Sequence, residues 1–416
     1  QLLLPVNFPV DATSTGAMPK LSHSSNSLQY IVSGENFRII FSKMSMNITS
    51  YEFKGTILMN NSANPEFWRA PTDNDFGNGM QNRCNVWKTA GSSKSNRNVS
   101  LEEVSPTELK ITFTYDLTAV SSTYTTIYTV YGNGEVIVDN SMEYKGSNLP
   151  ELPRFGMRFE LPEALEQVEY FGRGPFENYW DRKTAAMIDR YRSTVTGMYY
   201  PYPSPQENGN RTDTRWLALT NEAGTGLLFS GMNSFDFSAL HYTIADLTQS
   251  SRGSIHLHEI QPRANVYLNI DYKQTGVGGI DSWGARPLSK YTLWADSYSY
   301  KFKISPIEAG YNPDAISKRI YAAYTGTDEG LQLHQQLQAF PNPTSGTITL
   351  FQPETTYGSI EVNLRSIDGQ AVLSKQLPGS DLSGHQLDLS DVPAGIYFLT
   401  TTLDNQQTKT VKIIKQ

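Results

Sequence analysis

Apolar and polar positions alternate with a period of two through most of this chain. Residues 28–42 read as two short strands joined at Gly34-Glu35-Asn36. Residues 111–120 and 125–140 repeat the pattern with Ile, Val, Thr, Tyr and Phe. β-branched and aromatic residues fit a pleated, half-buried surface, so these runs predict strands rather than helices. Asn133-Gly134 sits between two such runs and is a strong two-residue hairpin signal. Short strands at fairly even spacing over residues 22–306 predict an all-β fold, a large antiparallel sandwich. The best helical signal spans residues 314–325.

Around residues 307–338 the alternation gives way to a polar, weakly patterned segment, expected to be a linker with one short helix. Residues 339–416 resume it as a second, small β-sandwich, with turns expected at Asp368-Gly369 and Asp404-Asn405. Residues 1–21 are expected to be the tail of a preceding domain and a linker; they lack the charged and apolar regions of a signal peptide.

Composition narrows the function classes. With 24 Tyr and 18 Phe the chain can bury a large core, and 416 residues suggest roughly two or three domains. A net charge of −7 with no basic cluster argues against nucleic acid as a partner. No apolar run is long enough for a membrane-spanning helix. The single cysteine, Cys84, excludes an intrachain disulfide and a thiolate zinc site, and no neighbouring histidine marks it as a nucleophile.

Four groups of residues could carry chemistry. Glu177, Asp181 and Glu207 could supply the carboxylate pair that glycoside hydrolysis needs. Arg173, Arg182, Arg211 and Arg215 stand nearby, and the plainer expectation is that these acids anchor loops through bidentate guanidinium pairs. His256 and His258, expected on one face of a strand, are two potential metal ligands without a third, so no metal site is expected. Residues 73–79, with Asp73, Asn74, Asp75 and three later Gly and Asn positions, are expected to form a loop. The fourth group is Gly276-Val277-Gly278-Gly279-Ile280-Asp281-Ser282-Trp283, where a glycine-rich turn offers an indole face to a sugar ring or closes it over the core.

Taken with residues 67–79, 152–162, 172–185, 201–216 and 268–272, this last run resembles the C-terminal, small-chain domain of glycoside hydrolase family 2 β-galactosidases. The resemblance implies a supersandwich akin to galactose mutarotase over residues 22–306. It also implies that the catalytic glutamates sit in an upstream (β/α)₈ barrel, so no catalytic residue is expected in this chain and the isolated chain is expected to be inactive. Trp283 would line the mouth of that barrel's active site as the leading substrate-binding residue. Asp73, Asn74, Asp75, Glu177 and Glu207 would be secondary contacts, and Gly77 would hinge a mobile loop. The whole enzyme would hydrolyse terminal β-galactosides with retention, with Mg and Na ions bound mainly upstream, and the resemblance allows a homo-oligomer.

The opening Pro341-Asn342-Pro343-Thr344-Ser345-Gly346, the turn at Asp368-Gly369-Gln370, the run Pro393-Ala394-Gly395-Ile396-Tyr397-Phe398 and the basic end from Lys409 resemble the type IX secretion C-terminal sorting domain. That resemblance implies the type IX machinery as partner. It implies secretion or display by a Gram-negative bacterium after passage through the periplasm. The alternatives are a non-catalytic carbohydrate-binding module and a mutarotase-like enzyme using His241, His256 or His258; another family 2 glycosidase specificity also fits.

Overall fold

The computed structural model describes residues 12–281, 283–321, 338–351, 359–366, 369–378, 385–403 and 407–416. They fall into two compact units that divide after Tyr321. The expected all-β, antiparallel character is present in both.

In the larger unit one sheet runs through the strands Met187–Thr194, Gln167–Gly174, Arg211–Thr220, Gly226–Leu240, Tyr298–Ile307, Val136–Tyr144, Ser122–Tyr131, Glu108–Leu117 and Lys94–Ser105, in that spatial order. The long strand Gly226–Leu240 serves two layers. Its first half pairs with Tyr298–Ile307, and its second half pairs with Val266–Gln274. That strand in turn pairs with Arg154–Leu161, which pairs with Asn64–Glu66. The sheet thereby folds over itself. Phe155 meets Phe67, Tyr124 and Tyr300, while Phe159 meets Phe229 and Phe302 across the layers.

Alternation decides which face each residue takes. Along Glu108–Leu117, Leu109, Ile111, Phe113, Tyr115 and Leu117 all point into the main core. Along Arg211–Thr220, Leu217 and Leu219 join that core, whereas Trp216 and Ala218 point the opposite way. There they form a small second cluster with Leu228 and Ile307, beneath Phe171, Tyr311 and Ile316. A five-stranded meander over Ser22–Ser25, Gln29–Ser33, Phe37–Ser42, Asn47–Phe53 and Thr56–Met59 completes the unit. The two hairpins expected from local turn chemistry form: Gly34 N–H bonds Phe37 O, and Gly134 takes φ +88° as the chain turns from Tyr131 to Glu135.

Three local expectations are corrected. The helix expected over 314–325 is Pro313–Lys318, capped by Asn312; beyond it Ile320–Tyr321 is extended, and 322–325 lie outside the described residues. His256 and His258 are not on a strand: His256 caps a single 3₁₀ turn, Leu257–Glu259, and His258 lies within it, with their rings stacked 5.8 Å apart. Residues 73–79 are mainly a helix, described below. The expected linker at 307–338 also begins later, because residues 307–321 pack on the large unit. Trp216 donates to Asp314 (3.1 Å), and Lys303 donates to the carbonyls of Ile316 and Arg319 (2.8 and 2.7 Å). The nearly buried Glu135 takes Arg319 (2.8 Å) and the Tyr321 hydroxyl. Ala12–Thr13 lies parallel against Ile320–Tyr321, so the incoming and outgoing chain of this unit run side by side.

The smaller unit stacks the strands Gln338–Phe340, Thr347–Phe351 and His385–Asp388 as one sheet. Ala371–Pro378, Ser359–Ser366, Gly395–Leu403 and Gln407–Lys415 form another. Ile348, Leu350, Val362, Leu364, Leu387, Leu399 and Ile413 fill its core. The turn expected at Asp404-Asn405 lies outside the described residues, as does Asp368.

Candidate functional site

Four separate stretches converge on one cleft of about 230 Å³: Thr72 to Asn74, Glu177 to Arg182, Tyr202 to Glu207, and Val277 to Gly279. The first is the N-terminus of the helix Asp73–Asn78. Thr72 caps it, its hydroxyl accepting from Asp75 N–H (3.1 Å) while the Asp75 carboxylate accepts from Thr72 N–H (3.0 Å). A Thr-x-x-Asp capping box is a sequence-readable helix start, and it outweighs the turn preference of the Asn and Gly residues that suggested a loop. Gly79, at φ +75°, ends the helix in the left-handed conformation.

Asp75 faces inward, away from the cleft. It receives Arg69 Nε and Nη2 (3.1 and 2.8 Å), and both side chains are buried. The same guanidinium donates to the carbonyls of Thr275 and Gly276, the latter at 3.0 Å, so Arg69 fastens the capped helix to the start of the glycine-rich run. Asn74 adds a bond to Val277 O (3.1 Å).

Asp181 does not pair with an arginine. Its carboxylate accepts the N–H groups of Val277 and Gly278 (3.1 and 2.9 Å), and a β-carbon at Gly276 would stand 2.5 Å from one of its oxygens. Gly276 therefore stands where the backbone lies directly on Asp181, while Gly278 and Gly279 take φ +79° and +133°. Further on, Asp281 Oδ1 collects three N–H groups, from Trp283, Gly284 and Ala285, at 2.9–3.0 Å. Bonds from Ala285 and Trp283 foremost hold this carboxyl below its ordinary range. A β-carbon on Gly77 would lie 2.9 Å from the Trp283 carbonyl carbon. Gly77 thus sits within the helix as a surface against which the Trp283 backbone rests. The Trp283 side chain itself is 77 % exposed.

The glutamates are held firmly. Glu177 is buried and accepts from Arg182 (2.8 Å), the Tyr202 hydroxyl and Gly209 N–H (2.9 Å). Glu207 accepts from the wholly buried Arg154 (2.8 Å) and from Gln274 (3.1 Å). Arg154 Nε also lies 3.1 Å from Asp271, whose carboxyl burial pushes well up despite that charge. Gly156 leaves room for Asp271, since a β-carbon there would fall 1.8 Å from its Oδ1. Of the arginines expected to anchor these acids, only Arg182 does so. Arg173 serves Asp213 (2.5 Å), while Arg211 and Arg215 donate to backbone carbonyls.

The cleft thus gathers Asp73, Asn74, Glu177 and Glu207, with Trp283 on the adjoining run and Asp75 behind the wall. Glu177 and Glu207 are engaged as acceptors of guanidinium, amide and hydroxyl donors, an arrangement that orients the groups around them. No motif in the sequence marks Tyr179, yet it lines the cleft. Its hydroxyl is buried beside the cleft and finds no hydrogen-bond partner among the described residues. Elsewhere, Cys84 is buried and its thiol pushed up to about 12, unsuited to nucleophilic work. Both ring nitrogens of His241 are occupied, by Glu166 (2.8 Å) and Asn265 O (3.1 Å). Among the described residues no three His, Cys, Asp or Glu side chains are grouped to ligate a metal.

Residues 33–304 match the family described as beta galactosidase small chain, and residues 338–416 match the secretion system C-terminal sorting domain. The chain is similar to a β-galactosidase of Priestia megaterium, 35% identical over 309 residues that cover 74% of this chain and 29% of that protein. It is also similar to one of Halalkalibacterium halodurans, 33% identical over 64% of this chain and 26% of that protein. It therefore spans less than a third of the length of these relatives. Among solved structures it is similar to a galactose 1-epimerase from Lactobacillus acidophilus, at a TM-score of 0.40 and 7% identity, covering 70% of this chain and 99% of that one.

Proposed function

Because the chain belongs to the β-galactosidase small-chain family and ends in a secretion sorting domain, we propose that it is the recognition and export portion of a secreted enzyme that hydrolyses terminal β-D-galactosides with retention. In this reading the acid and the nucleophile come from a (β/α)₈ barrel elsewhere in the same protein, as the short share of the relatives' length supports. The observation that carries the proposal is the exposed Trp283. It projects from a backbone pinned by Asp181, Asp281, Arg69 and Gly77 beside a polar cleft, a geometry suited to stacking on a sugar or aglycone at the rim of a barrel site. Asp73 and Asn74 would meet sugar hydroxyls. Mg and Na ions of the family would reside with the barrel, because the cleft acids here are already turned to guanidinium and amide donors.

The test is turnover of a chromogenic β-galactoside. The 416-residue chain alone should give none above buffer, while the same chain joined to its barrel should be active. Turnover by the lone chain that disappears in Glu177→Gln or Glu207→Gln would place the chemistry in the sandwich and defeat the proposal. The sorting domain would direct the protein through type IX machinery to the cell surface or medium of a Gram-negative bacterium. A tail retained in the cytoplasm would count against that part.

A further inference from the structure

On the sheet face opposite the main core lies a second cavity of about 530 Å³, a size typical of ligand pockets of roughly 300–1,000 Å³. Its floor is the edge of the small apolar cluster, Phe171 and Trp216, and its sides include Met232 and Ile320. The helix Pro313–Lys318 walls one flank and contributes Asp314, Ser317 and Lys318.

Its charge is unlike that of the chain as a whole. Against a net −7 for the protein, this lining carries Arg190, Arg215 and Lys318 with the single acid Asp314, whose Oδ1 accepts Trp216 Nε1 (3.1 Å). Arg190 shares one Glu169 oxygen with Arg192 (2.7 and 3.0 Å), so one carboxylate serves two guanidiniums. Arg215 has no carboxylate partner among the described residues. It donates to the backbone carbonyl of Asp213 and lies over the Phe171 ring at 5.7 Å, while the Asp213 carboxylate is turned to Arg173 and Lys183. Burial pulls this guanidinium below the ordinary arginine range. The Asp213 charge offsets this only in part, and a half-buried guanidinium with no paired carboxylate is costly unless an anion completes it. Lys318 is likewise without an ion pair among the described residues.

We propose that this cavity binds an acidic oligosaccharide, one carrying a uronate carboxylate, at a site separate from the cleft. The planar fork of Arg215 fits a carboxylate in two-point fashion. Phe171, Met232 and Ile320 offer apolar surface to the C–H face of a sugar ring, and Ser317 and Asp314 are at hand for its hydroxyls. The cavity is too large for a bare anion. The assignment does not depend on the proposed galactosidase role.

The experiment is calorimetric titration of the full 416-residue chain with digalacturonate and, separately, with galactobiose. Saturable binding of the acidic disaccharide is expected, at least tenfold tighter than that of the neutral one and weaker at high salt. Arg215→Gln should weaken it at least tenfold, and so should Lys318→Glu at its exposed position, which protects the test should the Arg215 variant fail to fold. Trp283→Ala should leave it unchanged. Absence of saturation at millimolar digalacturonate, equal binding of galactobiose, or loss of binding in Trp283→Ala would overturn the proposal.

Discussion

Trp283 is worth most at the level of single residues, because its exposure separates two energetic roles. A side chain 77 % exposed contributes little to folding, so Trp283→Ala should leave the melting temperature nearly unchanged. In the barrel-containing enzyme it should raise KM about fivefold, the loss of roughly 1 kcal/mol of aromatic stacking. Gly77→Ala makes the complementary case. Its new methyl would press on the Trp283 backbone, which cannot rotate aside as a side chain could, so this helix-favouring change should also raise KM. An unchanged KM would show that the position of Trp283 does not matter. Asp236 gives a pH signature. Burial first, then the charge of Asp213, raises its carboxyl from 3.8 to about 7. Between those values the unfolded chain has released a proton that the folded chain retains, so stability falls as pH rises from about 4 to about 7, by about 4 kcal/mol in all. Asp236→Asn keeps an acceptor for Asp213 N–H and should flatten that slope in urea titrations run from pH 4.5 to 8. The sequence displayed Trp283, its glycines and the cleft acids by type and spacing. It did not display their partners, because Arg69 with Gly276, Arg154 with Glu207 and Asp181 with Val277 are joined only by the folded sheet.

Elements were legible wherever their cause was local. The hairpins at Gly34 and Asn133-Gly134 follow from turn chemistry, and the strand faces from simple alternation. The helix Asp73–Asn78 stands where Asp, Asn and Gly content points to a loop, because its capping box prevails over that turn preference. Thr72→Ala removes that cap. It should cost about 1 kcal/mol of stability by denaturant unfolding and should speed amide exchange across residues 73–79. Equal exchange in the two proteins would mean that Arg69 and Asp75 hold the helix without the cap. The segment after Ile307 was read as linker because its polarity hides a tertiary cause. Asp314, Arg319 and Tyr321 are polar residues spent on Trp216, Glu135 and Asn133.

For the molecule as a whole, that packing moves the expected point of separation. Limited proteolysis should cut within residues 322–337 and spare 307–321, leaving a large fragment that extends at least to Tyr321 by mass. Early cuts between 307 and 321 would contradict the anchoring by Glu135 and Lys303. The parallel contact of Ala12–Thr13 with Ile320–Tyr321 has a mechanical consequence. Chain arriving before Ala12 meets one end of this ladder, and chain leaving after Tyr321 departs from the other. Tension along the polypeptide therefore slides the two strands past each other in shear while the ladder holds. Tyr131 stacking on Tyr321 at 4.2 Å and the Tyr321 hydroxyl on Glu135 stiffen this clip. A pull on the tail during export would open the clip before it strained the sandwich.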